Sequence, residues 1–255
     1  IRYTHEHAPE GAATIELAPG ILWARLPLPF RLNHVNVWLV DDGDGGWTLI
    51  DTGASTAVAR DIWESLLAGP LKGRRINRLI ATHGHTDHVG LAGWLVDRCG
   101  GVPFVSTMIE WLSATVRITE SRAPMRPEVQ RFLAGHGCDS ATIDAFRADR
   151  EKTHALLGDM PATMQRLRPG QTIRFGRREW RVIIAGGHAV EHASFYCDAD
   201  RLLIAGDQVL SKISPMVGVF PGEPKSDPLT DYLDSLETFR KLPAEAYVLP
   251  SHGLP

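Results

Sequence analysis

Cysteine is scarce in this 255-residue chain: Cys99, Cys138 and Cys197 stand far apart, and no two form a C-x-x-C pair. An odd, scattered set argues against a disulfide framework and for a reducing compartment. No apolar run approaches the ~18 residues of a membrane helix. No basic-then-apolar leader pattern follows Ile1. A cytoplasmic protein without a membrane partner is therefore expected. Charge of one sign is also lacking: 27 Lys and Arg face 30 Asp and Glu, for a net −3. That argues against a dedicated nucleic-acid coat. There is no G-x-G-x-x-G loop to cradle a dinucleotide. At 44% hydrophobic and 22% charged residues, the composition excludes a disordered or fibrous chain. The length suits one large domain, or one core with a sizeable insertion.

Short runs rich in aromatic and β-branched residues come first: ILWARL (21–26), VNVWLV (35–40) and WTLI (47–50). They read as strands, and the Asp42–Gly46 turn joins the last two as a hairpin. Ser55 is placed to cap a helix reaching about Leu67, closed by Gly69 and Pro70. INRLIAT (76–82) reads as a buried strand, 89–98 as a helix and VPFVS (102–106) as a strand. This alternation specifies an α/β layered domain. Strand signals return at 171–175, 179–185, 195–198, 202–206 and 246–250. A helix at 229–242 carries Leu229, Tyr232, Leu233, Leu236, Phe239 and Leu242 as an apolar stripe, read as core packing.

Residues 113–168 lose the strand signal and read as a helical insertion within one domain spanning 1–255. Over 117–181, thirteen Lys and Arg face eight Asp and Glu, against the negative balance of the whole chain. A solvated helical face is the plain reading. The alternative is a lid that covers the site and attracts an anionic substrate. There is also an internal echo: TLIDTG resembles LLIAGD, and RLIATHG resembles YVLPSHG. Two similar α/β halves would produce it.

Eleven histidines are the conspicuous excess. The segment Thr82-His83-Gly84-His85-Thr86-Asp87-His88 puts four strong metal-binding side chains within six residues, just past a buried strand. Gly84 lets the backbone bend between His83 and His85. Asp87 and His88 open the next helix, where they are able to face a second ion. Imidazole with carboxylate suits zinc, and also iron or manganese. Four ligands do not complete two metal shells. His188, Asp207 and His252 each follow an apolar run beside glycine or proline, at strand ends that converge in α/β proteins.

Together these residues resemble the metallo-β-lactamase superfamily, whose motif is H-x-H-x-D-H followed by a His, an Asp and a last His. The resemblance covers the chain outside the helical insertion. It implies a four-layer αβ/βα sandwich built from two halves. It places His83, His85 and His188 on one metal, Asp87, His88 and His252 on a second, and Asp207 between them. Asp51 matches the family's strand-end Asp, which orients a ligand histidine. Gly206-Asp207-Gln208 resembles the glyoxalase II type of dinuclear centre, whereas the family's flavodiiron members carry Glu where His85 stands. GDQVLSKISP (206–215) and VLPSHG (248–253) resemble a group of lactamase-like hydrolases that includes an endoribonuclease. Members of that group commonly continue into a small helical C-terminal region, which would lie beyond Pro255.

The function so implied is a hydrolase with two zinc ions sharing a hydroxide, Asp87 helping to orient it. A small thioester, lactone or other carboxylic ester is the favoured substrate. The alternatives are an endoribonuclease or phosphodiesterase of the same fold, and an oxidoreductase like the mononuclear-iron persulfide dioxygenases. Among further candidates, His192 and His34 are assigned a pocket role and Lys212 a contact with an anionic group. His5, His7, His136 and His154 are read as surface residues, and Trp94 and Trp111 as packing residues.

Overall fold

Alternation along one strand shows how the layers form. In β3 (His34–Asp41), Val35, Val37 and Leu39 belong to one core and Trp38 and Val40 to another. A strand sends successive side chains to opposite faces, so a sheet buried on both sides must lie between two other layers. The computed structural model describes residues 1–121 and 124–255 and has this arrangement.

The first sheet runs β1 (Ile15–Ala18), β2 (Ile21–Pro27), β3, β4 (Gly46–Ile50), β5 (Arg75–Ile80), β6 (Phe104–Ser106) and β7 (Gln165–Arg166), in chain order. It is antiparallel from β1 to β4 and parallel from β4 to β7. The second sheet has the order β12 (Tyr247–Pro250), β11 (Leu202–Gly206), β10 (His192–Cys197), β9 (Arg178–Ala185), β8 (Thr172–Phe175). Trp23, Trp38, Ile50 and Ile80 of the first sheet meet Trp180, Val182, Phe195, Ile204 and Leu249 of the second in the central core. The outer face of the first sheet packs Leu39, Leu49 and Leu79 against Trp63 and Leu66 of α1 (Ala57–Ala68) and Leu95 of α3 (Ala92–Arg98). The outer face of the second packs Ile183, Tyr196 and Leu203 with Phe239 and Leu242, at and beyond the end of α7 (Pro228–Phe239). Helix, sheet, sheet and helix make the expected four-layer αβ/βα sandwich.

The internal echo has a structural counterpart. β4 and β5 are a parallel pair with Asp51 after the first and His83 beyond the second. β11 and β12 are a parallel pair with Asp207 after the first and His252 beyond the second. In both pairs the backbone N–H just past one strand donates across to its partner, Asp51 to Ile80 at 2.9 Å and Ser251 to Gly206 at 3.0 Å.

Several local expectations are corrected. Thr56, not Ser55, caps α1, its hydroxyl accepting from Ala59 N–H, because the Ser55 backbone is bound to the Leu156 carbonyl. The helix expected over 89–98 is α3 alone, preceded by a separate turn of helix, α2 (Thr86–Val89), because Leu91 leaves the helical range at φ −106° and ψ 12°. The 113–168 segment holds α4 (Met108–Ser121), which starts earlier, α5 (Pro127–Gly135) and α6 (Ser140–His154), but also β7, a strand too short and polar to signal itself. Residues 122 and 123 of that segment lie outside the described ones. β1 was not expected, and β10 begins at His192 rather than 195. The α7 stripe is core only at its end: Leu229 and Leu233 are 58% and 54% exposed. Trp94 and Trp111 pack against the outer core as expected. Cys99, Cys138 and Cys197 are unpaired. No helix among the described residues is long and apolar enough to cross a membrane.

Candidate metal centre

The ends of β4, β5, β9, β11 and β12 converge on one edge of the sandwich. β5 runs into Thr82 and His83, and α2 carries Asp87 and His88. His188 follows β9 after a Gly186-Gly187 turn, Asp207 follows β11 and His252 follows β12. The structure thus gathers all seven residues singled out in the sequence, in three overlapping groups: His83, His85 and His188; His83, His88 and Asp207; and Asp87, His88 and His252.

Ring nitrogens in the first group are very close. His83 Nε2 is 3.0 Å from His85 Nδ1, which is 3.0 Å from His188 Nε2, and the two Nε2 atoms are 3.2 Å apart. The outer nitrogens determine what the inner ones carry. His188 Nδ1 lies 2.8 Å from the Met216 carbonyl, which only accepts, so Nδ1 holds the proton and Nε2 is a bare lone pair. Thr82 Oγ1 donates to Asp51, so His83 Nδ1 donates to Thr82 Oγ1 and its Nε2 is bare too. Two facing lone pairs repel unless a cation lies between them. Nitrogens held ~2.0–2.1 Å from one tetrahedral zinc lie about 3.3 Å apart, close to the spacing here.

The second group repeats the logic. His88 Nδ1 donates to Asp51 Oδ2 at 2.8 Å and His252 Nδ1 to the His34 carbonyl at 2.8 Å. Both Nε2 atoms and Asp207 Oδ1 are buried and have no hydrogen-bond partner among the described residues. Asp207 spans the groups: Oδ2 is 3.4 Å from His188 Nε2, and Oδ1 is 3.4 Å and 3.2 Å from the Nε2 atoms of His88 and His252. Buried polar atoms left unpaired are costly, and here they share one small volume. The donor set of imidazole and carboxylate fits zinc, iron or manganese.

Electrostatics divide the two sets. Burial pushes the imidazoles of His83 and His85 well down, and neighbouring imidazoles push them further. Burial also disfavours a charged His88, but Asp87, Asp207 and Asp51 outweigh it and draw its pKa well above the ordinary value. Burial alone would raise the Asp207 carboxyl; His88, His188 and His252 hold it well below the usual range. Three carboxylates, Asp51, Asp87 and Asp207, give the cluster a negative field that attracts cations.

The remaining candidates lie around the centre. Asp51 is fully buried at φ 62° and accepts from Thr82 N–H, Thr82 Oγ1 and His88. His192 is fully buried behind the cluster and its Nε2 accepts the Asp207 N–H at 3.0 Å; burial lowers it to about 3, so it stays neutral. His34 accepts the Gly253 N–H at 2.9 Å and is lowered to about 4, first by burial, then by Arg25 and His252. Both histidines shape the backbone of a candidate ligand. Exposed Lys212 instead lies 5.0 Å from the centre of the Tyr3 ring.

Three contributors were not singled out in the sequence. Asn36 and Arg25 pin the turn that carries His252: Asn36 Nδ2 donates to the Pro250 carbonyl at 2.8 Å, and Arg25 donates to the Gly253 carbonyl. Asn36 left one signal, a lone amide inside an apolar strand. Thr82, third of the trio, links Asp51 to His83.

Gly187 fixes how closely α7 approaches His188. Its φ is 103°, and a Cβ there would fall 2.3 Å from Tyr232 Cβ and 2.5 Å from Tyr232 Cα. Gly187→Ala is expected to cost at least ~2 kcal/mol through strain and overpacking, roughly 4–8 °C in Tm. Bound metal should fall with it. Thermal melts and metal content matching the parent protein would show that α7 yields freely.

A model of the metallo-beta-lactamase superfamily matches residues 31–252. The chain belongs to the metallo-beta-lactamase superfamily. It is 29% identical over 246 residues to the probable metallo-hydrolase YqjP of Bacillus subtilis, covering 92% of this chain and 72% of that protein. The crystal structure of a beta-lactamase domain protein from Burkholderia ambifaria superposes with a TM-score of 0.86 at 36% identity, over 99% of this chain and 75% of that one. The metallo-beta-lactamase family protein TTHA1429 from Thermus thermophilus gives 0.78 at 29% identity, over 93% and 75%. Metallo-beta-lactamase proteins hold divalent metals through His and Asp, the side chains gathered here.

Proposed function

We propose that the chain is a metal-dependent hydrolase of small thioesters, lactones or other carboxylic esters. His83, His85 and His188 would form one ligand set, Asp87, His88 and His252 a second, and Asp207 would serve both, for two zinc ions. The observation that supports this most is the convergence of histidine Nε2 atoms on the two oxygens of Asp207. The similarity to a probable metallo-hydrolase points the same way. When bound, metal ions at such a site lower the pKa of water towards ~7 and stabilise negative charge on a substrate oxygen.

The chain's own groups supply orientation and proton handling. Asp51, the His34 carbonyl and the Met216 carbonyl each hold a proton on Nδ1, so Nε2 is the nitrogen that His88, His252 and His188 turn towards the site, where a bound metal would take the place of any proton it carries. Asp87 is the most accessible of the three carboxylates, its side chain 18% exposed against 9% for Asp207 and 0% for Asp51. Its Oδ2 faces His88 and His252 as the candidate ligand, which leaves Oδ1 as the natural acceptor for a proton lost from the attacking water. Val190 and Met216 flank His188 and are 62% and 59% exposed. An apolar rim suits an acyl group better than a phosphate backbone.

The test is a panel of thioesters, lactones, other carboxylic esters, β-lactams, phosphodiesters and RNA, run alongside metal quantification. Turnover of an ester or thioester with two ions per chain is expected, lost on chelation and restored by divalent metal. RNA cleavage falling steeply with salt would replace the acyl substrate with a phosphodiester. One iron per chain with oxygen uptake would overturn the hydrolase reading.

A further inference from the structure

The centre is held from outside by a residue that is neither ligand nor core. Glu110 lies in the first turn of α4 and is only 2% exposed, yet it makes no ion pair within 4 Å among the described residues. Burying a carboxylate without a paired cation is expensive unless hydrogen bonds hold it. Both of its oxygens are spent on backbone donors. Oε2 accepts the Gly84 N–H at 2.9 Å, and Oε1 accepts the Glu191 N–H at 2.9 Å.

Those donors belong to two segments far apart in sequence. Gly84 is the spacer between His83 and His85. Glu191 lies between His188 and His192, whose ring holds the Asp207 N–H. One carboxylate thus ties together the segments that present all three nitrogens of the His83, His85 and His188 triangle. The same helix grips Gly84 again: Arg117, two turns on, donates from Nη1 to the Gly84 carbonyl at 2.7 Å. A Cβ on Gly84 would come within 2.5 Å of the Glu110 carbonyl, so only glycine admits the helix this close. Glu191 is secured in return, its Oε2 accepting from Ile109 N–H at 3.2 Å and its carbonyl from Thr107 Oγ1 at 3.0 Å.

We propose that Glu110 is a positioning residue of the metal centre: its two carboxylate oxygens, with Arg117 on the far side of the Gly84 peptide, set the spacing of His83, His85 and His188. The proposal rests on the reading of these histidines as ligands. It goes beyond that reading by making α4, at the start of the helical segment, part of what sets metal affinity. A residue that only supported the fold would matter equally with and without metal. A positioning residue matters more for binding than for the metal-free chain.

The test uses the full chain carrying Glu110→Gln, Glu110→Ala or Arg117→Met. Zinc affinity is measured by chelator competition, the absorption spectrum of bound cobalt is recorded, and Tm is taken without metal. Glutamine keeps the shape but turns an NH2 towards one of the two N–H donors. Loss of an outer partner typically weakens metal binding about 10–100-fold. That loss is expected for Glu110→Gln with an altered cobalt spectrum, and a smaller one for Arg117→Met; the metal-free Tm falls by a few °C in Glu110→Gln for its one orphaned N–H, and zinc affinity falls beyond what that destabilisation explains. Should Glu110→Ala fail to fold, the other two variants decide the matter. Parental zinc affinity and cobalt spectrum in both, with only a lowered metal-free Tm, would overturn the proposal. A parent protein that binds no zinc would overturn the ligand reading, and the proposal with it.

Discussion

Asp207→Ala is expected to lower bound metal from two ions towards one and to abolish hydrolysis. The two oxygens of its carboxylate face different histidines, His188 on one side and His88 and His252 on the other. The substitution leaves the fold little to repair. The Asp207 N–H still donates to His192, and Ser251 N–H still donates to the Gly206 carbonyl. Removing an outer partner of a ligand costs about 10–100-fold in affinity or activity, so loss of a shared ligand should exceed that. Elemental analysis and turnover of the best panel substrate are the two measurements. Two retained ions with full activity would remove Asp207 from the shared position.

Asp51 should separate stability from metal binding. In Asp51→Ala, the buried N–H of Thr82 and Nδ1–H of His88 lose their acceptor. Each orphaned donor costs about 1–3 kcal/mol, so Tm should fall by roughly 4 °C or more. Asp51→Asn is more informative. Its amide oxygen still accepts from Thr82 N–H, but its NH2 would then face His88 Nδ1. A neutral imidazole answers by moving its proton to Nε2, which removes the lone pair aimed at Asp207. The asparagine variant is therefore expected to stay near the parental Tm and yet lose metal from the His88 set. Parental metal content in that variant would show that the His88 tautomer does not matter.

Much of this architecture was legible in the residues. Most strands of both sheets and the turn after β3 announced themselves through runs of aromatic and β-branched residues and through glycine, because a two-sided sheet must present apolar residues to two cores. The 82–88 segment was legible because four ligating side chains at short spacing have no plainer use. What was not legible has a common cause. β7 is two exposed residues paired to β6, and two residues carry no period. The α7 stripe has helical spacing, but periodicity does not say how much of a face is covered, and Leu229 and Leu233 lie exposed. Asn36, Arg25 and Glu110 act through backbone groups of segments remote in sequence, and Thr82 through the remote carboxylate of Asp51; no spacing rule reaches them.

By itself, the sequence singled out a candidate donor set: five imidazoles and two carboxylates at the ends of apolar strands and in the turn of helix after β5, a chemistry that follows from residue type. Only the tertiary structure decided how those donors are used. Tautomers depend on acceptors such as the Met216 and His34 carbonyls, which fold in from 28 and 218 residues away. The division of Asp207 between two groups depends on where β11 ends relative to β9 and β12. An imidazole offers a lone pair in only one direction at a time, so three-dimensional placement is what makes a scatter of histidines into a centre.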